Sequence, residues 1–69
     1  MTKFLNVKKY ALDYPYMVFR ADSDDILTKW FWGAWNDRNA ANEAALEIGG
    51  EVWETAAIKD NCEIDEFGW

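Results

Sequence analysis

The chain has 69 residues, no histidine and one cysteine, so neither an internal disulfide nor a zinc site with several ligands can staple it. Apolar residues make up 51% and aromatics 17%, too much for a disordered chain. The formal charge of −6 repels phosphate and argues against direct nucleic-acid binding. No apolar run approaches the ~18 residues of a membrane helix.

A chain of this size has room for one domain, and its stability must come from dense aromatic packing. The charge is uneven: residues 1–20 carry +3, residues 21–50 carry −4 and residues 51–69 carry −5. The N-terminus shows no secretory pattern and the thiol is alone, so the expected compartment is a reducing cytoplasm.

In chain order, Phe4 to Leu12 reads as a first strand, and Asp13-Tyr14-Pro15 turns it into the next. Tyr16 to Ala21 is a second strand, rich in aromatic and β-branched residues. Asp22-Ser23-Asp24-Asp25 forms a turn, and Ile26 to Trp35 is a third strand. A competing reading makes one helix of Asp24 to Ile48, because Leu27, Trp30, Phe31, Ala34 and Trp35 also fit helical spacing. The strand is preferred, since Trp30-Phe31-Trp32 and Gly33 are poor helix formers.

Residues 36–50 carry the clearest helix signal. Asn36 is the expected N-cap with Asp37 in the first turn, Ala41, Ala44, Ala45 and Ile48 make one apolar stripe, and Gly49-Gly50 supplies the stop. Glu51 to Ile58 then reads as a last strand. The expected fold class is α+β: a small single-layer antiparallel sheet of three to four strands, in β-β-β-α-β order, packed against one helix. Residues 1–69 are read as one domain with a flexible acidic tail over 59–69.

The catalytic inventory is thin. Without histidine no Ser–His or Cys–His pair exists, and Cys62 lies between Asp60 and Glu63, which raise a thiol pKa. Asp22, Asp24 and Asp25 invite a calcium reading, but the positions that an EF-hand fills with glycine and glutamate hold Leu27 and Gly33. No phosphate-binding glycine motif occurs. No enzyme activity, cofactor or metal is expected.

The aromatic strand is the most informative feature. Alternation puts Trp30, Trp32 and Ala34 on one face and Phe31, Gly33 and Trp35 on the other, so both faces are apolar. One helix covers one face. Either the N-terminal segment folds over the second, or another protein does. The plain alternative is that the tryptophans simply fill a small core. The expected protein-binding residues are Trp30, Trp32 and Trp35, the acidic turn Asp22, Asp24 and Asp25, and Phe67 and Trp69 in the tail.

The tail, Asp60-Asn61-Cys62-Glu63-Ile64-Asp65-Glu66-Phe67-Gly68-Trp69, resembles the acidic, aromatic-ended tails of bacterial single-stranded-DNA-binding proteins. That resemblance implies recruitment of a partner protein. It departs from the family pattern in ending Gly68-Trp69, where the family has proline before phenylalanine. A frayed end, or a final strand docking Ile64 and Phe67 on the core, is the structural alternative.

Together these features lead us to expect a small acidic inhibitor or adaptor that docks on a basic protein surface, with acidic groups filling a groove made for nucleic acid. Small acidic phage proteins that disable host defences, anti-CRISPR proteins among them, are similar in size and charge, and a chain of that type would act in the host cytoplasm. The alternative is a homo-oligomer, such as a homodimer, that uses the aromatic sheet face as its own interface. A small-molecule pocket lined by the aromatics is a third reading.

Overall fold

The computed structural model describes residues 3–61 and 67–68. The order is β1 (Lys3–Leu5), β2 (Val7–Lys8), a 3-10 turn (Lys9–Asp13), β3 (Tyr16–Ala21), β4 (Thr28–Trp35), α1 (Arg38–Ile48), β5 (Glu51–Glu54), α2 (Thr55–Asn61) and β6 (Phe67–Gly68). Four strands form one sheet in the order β1-β4-β3-β5, and β2 pairs with β6 in a second, two-stranded sheet. The fold is a small α+β fold, as expected. The sheet is mixed: β1 runs parallel to β4, while β3 is antiparallel to both β4 and β5. No helix of the described residues is long and apolar enough to cross a membrane.

Residues 24–48 are not one helix. Thr28 to Trp35 is extended, and α1 starts only after Asp37. Asp37, not Asn36, is the N-cap: its backbone is extended and its Oδ1 accepts the Asn39 N–H at 3.2 Å. The helix stops at Gly49, whose φ of 66° is the left-handed conformation that glycine adopts without steric cost.

Two other expectations are corrected. The N-terminal strand is broken, because Asn6 takes a φ of 59° between β1 and β2 and the chain then winds into the 3-10 turn. The last strand ends at Glu54 and not at Ile58. Thr55 ties that corner down: its N–H donates to the Pro15 carbonyl at 3.0 Å and its hydroxyl to the Tyr14 carbonyl. The segment beyond it has the alanines and isoleucine of a helix, and it turns Ile58 back into the interior.

Both faces of the sheet are covered in part, by different layers. On one face α1 sets Ala41 and Ala45 over Val18, with Tyr16, Trp35, Ala44, Ile48 and Val52 around them. On the other, Phe4, Val7, Ala11, Met17, Phe19, Phe31 and Ile58 form the larger core. Of the two coverings the sequence allowed for the second face, the chain supplies its own: the N-terminal segment and α2.

The Phe4 ring reaches from edge strand β1 to Phe19 (4.8 Å between centroids) and to Trp53 on the opposite edge (5.0 Å), both edge-to-face. Such pairs add about 0.5–1.5 kcal/mol each beyond burial. Beside them Glu51 Oε1 accepts both Lys29 Nζ (3.0 Å) and Trp53 Nε1–H (2.7 Å). The pair thus joins β4 to β5 across β3.

Candidate functional site

A β-bulge decides which tryptophans reach solvent. Val18 pairs with Gly33 and Phe19 with Phe31, so Trp32 is left without a partner on β3. The extra residue breaks the simple alternation expected for β4. Phe31 and Ala34 both pack on the larger core, while Trp35 packs with the α1 cluster. Trp35 therefore does not share a face with Phe31, and Ala34 does not share one with Trp30.

Beyond the bulge, Arg20 follows Val18 by two residues on the regular strand β3 and pairs directly with Trp30. Val18 lies under α1. Arg20 and Trp30 thus continue the α1 face past the end of the helix, where nothing among the described residues covers them. Trp30 is 42% exposed and Trp32 55%. Together with Arg20, Ala21, Asp22, Ser23 and Phe31 they line an open groove of about 330 Å³.

The groove is built on an ordered hairpin. Asp22 Oδ1 accepts the Asp24 N–H at 2.9 Å, and its Oδ2 accepts Trp30 Nε1–H at 3.2 Å. Asp25 Oδ1 accepts the Leu27 N–H at 3.0 Å and its Oδ2 the Thr28 hydroxyl at 3.0 Å. Two backbone hydrogen bonds close the loop, Asp22 N–H to the Thr28 carbonyl and Thr28 N–H to the Asp25 carbonyl, each 2.9 Å. The Asp24 N–H above all, and then the Trp30 N–H, hold the Asp22 carboxyl below the ordinary aspartate value of 3.8. Asp22 therefore stays ionised and pins the Trp30 ring.

The candidate residues fall into separate groups. Trp30, Trp32 and Asp22 meet in the groove, and Asp24 and Asp25 continue its turn, with Asp25 spent on organising that turn. Trp35 lies elsewhere, half-buried against the α1 cluster. Phe67 is in β6, paired in parallel with Val7, so its backbone ties the tail to the N-terminal segment. Trp69 lies outside the described residues.

Sequence reasoning missed Arg20 and Ser23 as groove residues. A signal for Arg20 existed: closing the hairpin around Asp22 to Leu27 sets Arg20 opposite Trp30. Compared with known proteins, the chain matches no family model, no curated protein and no solved structure.

Proposed function

We propose that this protein is a small acidic protein-binding module, an inhibitor or adaptor that docks on a basic protein surface through the groove of Trp30 and Trp32. The observation that carries the reading is the placement of these two indoles, exposed side by side past the end of α1 on a face whose other half is packed. Tryptophan is enriched among residues that dominate binding energy, and apolar surface left uncovered on an otherwise packed domain marks interaction sites.

Charge supports the class of partner. The net −6 and the turn of Asp22, Asp24 and Asp25 beside the groove favour a cationic surface. A basic surface that handles nucleic acid is the natural member of that class, which is where inhibitors of host-defence enzymes act.

Affinity capture from the native host tests this, with the wild type and Trp32→Ala as parallel baits. A basic protein retained by the wild type, lost at least about tenfold with Trp32→Ala and released as salt rises, supports the reading. Equal capture by both baits, insensitive to salt, contradicts it.

A further inference from the structure

We infer that the Trp30–Trp32 groove takes an extended, proline-containing segment of the partner protein, with a lysine or arginine flanking its prolines. This rests on reading the same groove as the protein-binding site, and it names the chemistry of the occupant.

Backbone pairing limits one mode of recognition. Trp30 lies on an inner strand, paired with Leu5 of β1 on one side and Arg20 of β3 on the other. At Trp30 no ladder is free for a partner to add a strand. Recognition there uses the side chain, while Trp32, past the end of β1 and unpaired on β3, stands outside both ladders. A groove of about 330 Å³ is at the small end for ligand sites and holds a few side-chain rings.

Of the two indole donors in the groove, one is already used. The Trp30 N–H is already given to Asp22, which fixes the ring on its strand. The Trp32 N–H has no acceptor among the described residues, so it is open to one carbonyl. A polyproline II segment matches this supply. Its backbone makes no internal hydrogen bonds, its carbonyls are open to a donor, and its rings lie flat on aromatic faces at low ordering cost.

Charge selects the flanking residue. The groove lining carries one cation, Arg20, and one carboxylate, Asp22, and the turn beside it adds Asp24 and Asp25, a balance of −2 over groove and turn together. A lysine or arginine of the segment gains the acidic turn, and an indole face adds a cation–π contact. An acidic segment meets only Arg20 and is repelled by the rest.

The test titrates the whole chain with four probes: a short proline-alternating peptide ending in arginine, the same peptide with alanine for proline, the same with glutamate for arginine, and a single-stranded oligodeoxynucleotide. Indole N–H resonances of Trp30 and Trp32 report occupancy. The expected result is that the first peptide binds at least about tenfold more tightly than the other probes and shifts both resonances. Trp32→Ala weakens it about tenfold or more, Asp24→Asn weakens it, and Arg20→Gln strengthens it. Both Trp32 and Asp24 are exposed, so these variants fold.

Equal affinity for the alanine peptide, preference for the glutamate peptide or the oligonucleotide, an Arg20→Gln variant that binds no more tightly, or absence of any peptide binding each overturns the inference. So does a shift of both resonances with protein concentration alone, which assigns the groove to a second copy of the chain. If no peptide binds while Trp32→Ala still abolishes capture of a basic partner, only the ligand class falls. If Trp32→Ala leaves capture intact, the underlying reading falls with it.

Discussion

The six-membered ring of Trp35 lies directly over Gly33, two residues earlier on the same strand: a methyl group there would sit 2.6 Å from Cη2 and 2.7 Å from Cζ3. Trp35 packs half-buried against the α1 cluster, so moving its ring aside gives up that packing. Glycine at position 33 is what lets the helix layer close over the bulged strand.

Gly33→Ala should therefore destabilise the protein by about 1–3 kcal/mol, the usual cost of overpacking. Chemical denaturation measures it. Adding Trp35→Leu should recover part of the loss, since the smaller side chain removes the clash. Full additivity of the two changes would mean that the ring does not bear on the glycine.

The second layer makes its own demand. Ile58 is fully buried on the face opposite α1, with Phe4 and Phe19. Ile58→Ala should cost about 2–5 kcal/mol. A loss below about 0.5 kcal/mol, the range of a surface substitution, would mean that α2 does not close that face.

The parts of the fold set by local chemistry were legible in the sequence. Tyr16–Ala21 is a run rich in aromatic and β-branched residues that ends at an aspartate turn, and Gly49 marks the helix stop. The division at Asn6 was not legible, because a left-handed asparagine looks like any other polar residue in a strand. Strand pairing also lay beyond local pattern, since β1 joins β4 in parallel over a long separation. The candidate site was half legible. The exposed tryptophans lay in the expected stretch, but the bulge at Trp32 redistributes the faces, and a one-residue change of register has no local marker. The Asp22 carboxylate was noted for its charge, whereas its hydrogen bond to Trp30 needs the closed hairpin.

That hydrogen bond gives a pH signature. The Asp22 pKa is lowered in the folded protein, first by the Asp24 N–H and then by the Trp30 N–H. Its contribution is fully present above the ordinary value of 3.8 and is lost as pH falls through the lower native value. The Trp30 Nε1–H resonance should hold steady above about pH 4 and move below it. Asp22→Asn should remove the transition. A Trp30 resonance that is flat to acid in the wild type would show that the indole is not held by this carboxylate.

The most direct measurement compares stability with partner affinity in Trp30→Ala/Trp32→Ala. Both rings are exposed, so unfolding free energy should fall by no more than about 1–2 kcal/mol, while affinity for the captured basic partner should drop roughly thirtyfold or more. A stability loss above about 3 kcal/mol, or unchanged affinity in a folded variant, would contradict the assignment of this groove as the binding site.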